Sequence, residues 1–155
     1  MAEAPLAVPP IGPGELADYL HQHIPLSAAM QVAVEAVTPQ TVVLRAPLAP
    51  NINHRDTVFG GSASALAILA AWSLLHTRMR AAGLTAKLVI HRNSMDYGAP
   101  ILGEFSASSS LDEADWQTFT RMFARKGKAR ISVRSMLQYQ GAQAGHLVGE
   151  FVALQ

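Results

Sequence analysis

Between Ser62 and Thr77 the chain reads "SASALAILAAWSLLHT" and carries no Asp, Glu, Lys or Arg. A helix at the surface of a globular protein keeps a charged face toward water, so a helix apolar on nearly every side has to be enclosed by the rest of the chain. A lipid environment is the other way to enclose it, but a membrane span needs about 20 apolar residues. This run is shorter and is interrupted by Ser62, Ser64, Ser73 and His76. The stretch therefore predicts a buried helix of a soluble protein, from about Gly60 to about Ala82, with Gly83 as its stop.

What encloses it is legible in the flanking periodicities. Leu16, Tyr19, Leu20 and Ile24 recur at helical spacing until Pro25, predicting a short amphipathic helix behind a proline-rich arm over residues 1–14. Met30, Val32, Val34 and Ala36 alternate, as do Val42, Leu44 and Ala46 after the "TPQ" turn, which predicts an antiparallel pair. Leu88–Tyr97 and Ile101–Ser110 read as strands of a second hairpin turned by "GAP". In "LDEADWQTFTRMFARKGKAR", Asp112 and Asp115 fit a helix start, Trp116, Phe119 and Phe123 share a face, and Gly127 ends it. Ile131 to Tyr139 alternate, "QGAQAG" turns the chain, and His146–Leu154 supplies a last strand. About six antiparallel strands and one long apolar helix make an α+β domain over residues 15–155. A curved sheet wrapped around the helix, the hotdog arrangement, satisfies both.

Composition narrows the class. A length of 155 residues suits one domain. Half the residues are hydrophobic and only 15% are charged, an excess of apolar surface that predicts a homo-oligomer. A net charge of +1 gives no field for nucleic acid or an anionic membrane, and the absence of cysteine excludes disulfides and thiolate catalysis. The N-terminal stretch has no Lys or Arg before Arg45, which argues against a secretory signal and predicts a cytoplasmic protein. His21 and His23 point to different helix faces, and His76, His91 and His146 stand alone in sequence, so no metal is expected. No nucleotide fingerprint is present either, and no cofactor is expected.

The order of elements, "NINHRDTVFGGS" at the mouth of the central helix, "DYGAPILGEF" at the next turn and "RKGKARISV" before the final strands resemble the hotdog acyl-thioester enzymes. The similarity is to the thioesterase branch that also occurs fused behind an acetyltransferase domain, with members linked to malonyl-carrier-protein decarboxylation. It spans roughly residues 15–155 and implies an acyl-CoA or acyl-carrier-protein thioester as substrate and a homodimer or a dimer of dimers, with sites completed across the dimer interface.

Thioester chemistry that builds charge on the carbonyl oxygen needs hydrogen-bond donors placed at that oxygen, and a helix N-terminus supplies unpaired N–H groups and a favourable dipole. The amides of Gly60, Gly61 and Ser62 are the candidates; a plain tight turn into a helix is the structural alternative. Asn53 either donates to the carbonyl or closes an Asx-type turn. His54 is a base or a surface donor, and Asp56 activates water or caps the helix start alongside Thr57. Many similar thioesterases carry an acid two turns into the central helix; here that region reads "ALAILAAW". Hydrolysis then has to recruit Asp56, His54 or a carboxylate from a partner subunit, with Asp96, beside Tyr97, the candidate. Decarboxylation of a malonyl thioester needs only the donors. A non-catalytic acyl-thioester binding module is the remaining alternative. Ala63, Ala65, Ala67, Ala70 and Ala71 either leave room for an acyl chain or let the sheet pack closely.

Half of the 12 Lys and Arg residues lie between Arg121 and Arg134. Arg125 and Lys126 suit the end of a helix, whereas Arg130 and Arg134, on one strand face, are candidates for the phosphates of coenzyme A or the acidic face of a carrier protein.

Overall fold

The computed structural model describes residues 10–155, and the expected arm lies for the most part outside them. Helices α1 (Pro13–His23) and α2 (Pro25–Ala29) lead into strands β1 (Ala33–Val37) and β2 (Thr41–Ala46). A 3-10 turn (Ala49–Asn51) and a loop precede helix α3 (Gly60–Ala81). Strands β3 (Lys87–Tyr97) and β4 (Phe105–Ser110), helix α4 (Glu113–Lys126) and strands β5 (Lys128–Tyr139) and β6 (Ala142–Leu154) complete the chain. All six strands form one antiparallel sheet in the order β1-β2-β4-β5-β6-β3, folded around α3.

Helix α3 is enclosed as its lack of charge requires. Leu66, Ala67, Ala70, Ala71, Leu74 and Leu75 are fully buried. The buried Ser135 hydroxyl donates to the Ala67 carbonyl at 2.7 Å, tying the middle of the helix to the sheet. The alanines let helix and sheet approach, so Ala67, Ala70 and Ala71 serve packing; only Ala63 of the five borders a cleft. The end signals hold: Gly83 has φ +70° and Gly127 φ +67°, the left-handed region that favours glycine. The Asp112 side chain accepts from the amides of Ala114 and Asp115, and α4 buries Trp116, Phe119 and Phe123.

Helix α1 stops just before Pro25, as expected, and Pro25 then opens the second short helix α2, where its missing N–H costs nothing. Two expectations need correction. Met30 lies in the turn that follows α2, and Gln31, at φ 58°, delays the strand to Ala33. The second hairpin does not form. β3 pairs only with β6, at the far edge of the sheet, whereas β4 sits between β2 and β5. The "GAP" segment is a crossover: the amides of Gly98 and Ala99 both donate to the Ala144 carbonyl, at 2.9 and 3.0 Å, and the Ile101 carbonyl accepts from the Val58 amide at 2.8 Å. Two strands lie between β3 and β4, which makes three inter-strand intervals and about 14 Å of sheet at ordinary spacing, and the chain covers it by passing the N-terminal end of α3. Adjacent strand-like runs alone do not distinguish this path from a hairpin.

Candidate active site

The segment Pro47–Phe59 is held as a frame for the first turn of α3. Asn51, 1% exposed, donates through its side-chain amide to the carbonyls of Met30 (3.0 Å) and Pro47 (2.8 Å). Its own carbonyl accepts from the Phe59 amide at 2.8 Å. Asn53 forms the Asx-type turn. Its Oδ1 accepts from the amides of Arg55 (2.8 Å) and Thr57 (3.2 Å), and its Nδ2 donates to Thr57 Oγ1 (2.9 Å) and, more weakly, to the Val58 carbonyl (3.4 Å). Asp56 stands at φ 60°, a left-handed position that Asp tolerates better than most side chains.

Neither Asp56 nor Thr57 caps α3. The cap position belongs to Phe59, which offers no side-chain acceptor, and the first bond into the helix runs from the Ala63 amide to the Phe59 carbonyl at 3.0 Å. Among the described residues, the amides of Gly60, Gly61 and Ser62 therefore have no protein acceptor. The two glycines differ in use. A Cβ on Gly60 would come within 3.4 Å of the Tyr97 ring, an ordinary contact, and Gly60 borders a cleft of about 360 Å³. A Cβ on Gly61 would overlap the Phe59 ring, so that side is filled by the protein's own aromatic group.

The cleft lies between the start of α3 and the crossover. Val58, Ala63, Ile101 and Leu137 make its apolar walls, Tyr97 one side, and Gly98, Ala99 and Ala144 keep it open. No Asp, Glu or His lines it. His54 and Asp56 are exposed on the loop outside it. Asp96 points to the opposite face of the sheet from Tyr97, as alternation along a strand requires, and its Oδ2 lies 3.0 Å from His146 Nε2. His146 thus has a partner that sequence distance concealed.

The basic cluster disperses. Arg121, Arg125 and Lys126 are exposed on α4, Arg130 pairs with Glu150 at 3.3 Å, and Arg134 lies on the same outer face of β5. Arg78 is occupied: it bonds Glu113 at 2.8 Å, donates to the Pro39 carbonyl and lies 4.7 Å from the Trp116 ring centre. That guanidinium holds the Glu113 carboxyl below the usual carboxylate range. At the other end of α3, His76 clusters with Tyr19 and Trp72, its ring centre 4.6 and 4.7 Å from theirs, and its buried Nε2 has no partner among the described residues. Burial first, then the charges of Arg80 and His23, push its pKa below the ordinary value of 6.5.

Asn51, Phe59 and the small residues of the crossover were not legible as site components in the sequence. A buried Asn gives no periodic signal, and the crossover's role depends on where β3 pairs.

Residues 14–155 match the family described as "Putative thioesterase (yiiD_Cterm)". The chain belongs to this family. Solved structures of other proteins share its architecture. A protein of unknown function from Chlorobaculum tepidum is 28% identical, with a TM-score of 0.87 over 94% of this chain and 98% of that one. A putative thioesterase from Shewanella oneidensis is 24% identical, with a TM-score of 0.82 over 92% and 97%. A thioesterase from Haemophilus influenzae keeps the fold at 8% identity, with a TM-score of 0.74 over 97% and 95%. The α+β hotdog architecture expected from the charge-free helix is thus the fold of this thioesterase-family member. Among its described residues no helix is long and apolar enough to cross a membrane.

Proposed function

We propose that this thioesterase-family protein processes acyl thioesters at the mouth of α3, with the acyl group in the cleft beside Tyr97 and the thioester oxygen on the amides of the first helical turn. The observation that carries the reading is the coincidence of acceptor-free amides at Gly60–Ser62 with an apolar cleft bordered by Gly60. In a water-poor slot such donors act strongly on a developing oxyanion. Asn53 frames the loop and joins as a donor by turning its longest bond, the 3.4 Å contact to Val58, toward the bound oxygen.

Hydrolysis adds water to the carbonyl carbon, passes through the oxyanion and expels the thiol. It requires a base, and no carboxylate borders the cleft of one subunit. A homodimer supplies what is missing under this reading: β3 is an open sheet edge, and Ile52, Phe59, Tyr97 and Leu102 are large exposed apolar groups on segments around the mouth. A carboxylate of the second subunit, Asp96 the candidate, would then activate water.

The bare cleft specifically favours a second reading, decarboxylation of a malonyl thioester. The bond between the carboxylate and the methylene carbon breaks, its electron pair passes into the thioester as an enolate held by the amides, carbon dioxide leaves, and protonation of carbon gives the acetyl thioester. No base is needed. Purified protein incubated with malonyl and simple acyl thioesters of coenzyme A and of carrier protein separates the readings. Free thiol marks hydrolysis; acetyl thioester with carbon dioxide marks decarboxylation. Ligand-dependent thermal stabilisation without turnover on the whole panel would reduce the protein to a binding module.

A further inference from the structure

On the face of the sheet opposite α3, we infer a binding site for a phosphoryl oxyanion, built from Arg134 and the polar side chains beside it. The inference does not depend on the thioester reading. A groove of about 480 Å³ there is lined by Ser108, Ser110, Arg134, Gln138, Gln143 and His146. Strand register assembles it: Ser110 lies opposite Arg134, Ser108 opposite Met136, and Met136 opposite His146, so one donor-bearing row adjoins the next on a single face. The register shift between Leu137 and Gln138 makes a break in the ladder at the end where Gln138 meets Gln143.

The donors are free and the charge is uncompensated. Among the described residues, the hydroxyls of Ser108 and Ser110, the Gln143 amide and the Arg134 guanidinium donate to no protein atom, and the Gln138 amide reaches only the Met136 sulfur at 3.8 Å. The neighbouring cations differ: Arg130 and Arg92 both turn to Glu150, at 3.3 and 4.0 Å. No carboxylate lines the groove, and the nearest in the row, Asp96, is engaged by His146. A guanidinium fork surrounded by neutral hydroxyl and amide donors fits the several acceptor oxygens of a phosphoryl group. An acidic peptide would find a single cation.

The test is a titration of the full chain followed by 1H–15N NMR, with inorganic phosphate in one arm, adenosine 3′,5′-bisphosphate in a second and sodium chloride at matched ionic strength as control. Saturable shifts are expected at Ser108, Ser110, Arg134, Gln138, Gln143 and His146 with both phosphoryl probes and not with chloride. Arg134→Gln, on an exposed strand position, should raise the Kd about tenfold, the weight of one charge-assisted bond pair, and Lys126→Gln should leave it unchanged. Tighter binding of the bisphosphate identifies a phosphate ester as the occupant; equal or weaker binding identifies free phosphate. Shifts that merely follow ionic strength, or an Arg134→Gln protein that binds phosphate as the parent does, would overturn the inference.

Discussion

Replacing Asn53 separates framing from chemistry at the helix mouth. Asn53→Ala removes the side-chain bonds to the Arg55 amide, the Thr57 amide and Thr57 Oγ1, at 2.8, 3.2 and 2.9 Å, together with the weak one to Val58. At about 1 kcal/mol for each of the shorter bonds, less what water returns to the exposed Arg55 amide, the loss is about 2 kcal/mol. In a domain of this size that lowers Tm by about 4–8 °C. Asn53→Asp keeps the acceptor for both amides, and the Thr57 hydroxyl can turn to donate to it; only the contact to Val58 becomes repulsive. Its Tm should fall by less than half as much. If the Asn53 amide donates to the thioester oxygen, Asn53→Asp must nevertheless lose turnover about as fully as Asn53→Ala, on the order of a hundredfold. Thermal denaturation and thioester turnover on the same preparations decide it. A stable Asn53→Asp protein with parental turnover would confine Asn53 to framing the loop, and an Asn53→Ala protein with unchanged Tm would refute the hydrogen-bond reckoning itself.

Gly60→Ala should fold normally, since the added Cβ meets the Tyr97 ring at an ordinary distance, yet turnover should drop at least about tenfold because the methyl group enters the cleft beside the donors; parental kinetics would displace the acyl group from this cleft. Asp56→Gly relieves a left-handed backbone and should leave Tm equal or raised by a few degrees, about 1 kcal/mol. Loss of hydrolysis in that variant with decarboxylation intact would make Asp56 the base. Because the folded state holds His76 neutral below 6.5, the unfolded chain binds more protons once pH falls under that value. Stability contributed by this group is therefore complete above 6.5 and lost as pH falls toward the depressed folded value. Melting curves from about pH 7.5 to 5 should show this slope and His76→Phe should flatten it; an equal slope in both proteins contradicts the assignment. Arg78→Met should cost about 1–2 kcal/mol through the Pro39 bond and the Trp116 contact, more than Glu113→Gln, as urea titration would show.

Residues 62–77 determined by themselves that this protein has a helix the rest of the chain must enclose, because a helix without charge offers no face to water, and the alternating runs on either side determined that a sheet encloses it. Local chemistry likewise fixed the ends of α3 and α4: Asp112, Gly83 and Gly127 act through bonds and dihedral angles that involve only their neighbours. The amides at Gly60–Ser62 were legible for the same reason, as a property of any helix start that lacks a capping side chain. Tertiary structure decided the rest of the site. That β3 leaves for the far edge, that the "GAP" segment crosses the helix mouth, and that Asp96 turns away to meet His146 all depend on strand pairing between residues about fifty positions apart, which alternating patterns do not encode. The pattern states which residues want to be covered; only the register states by what.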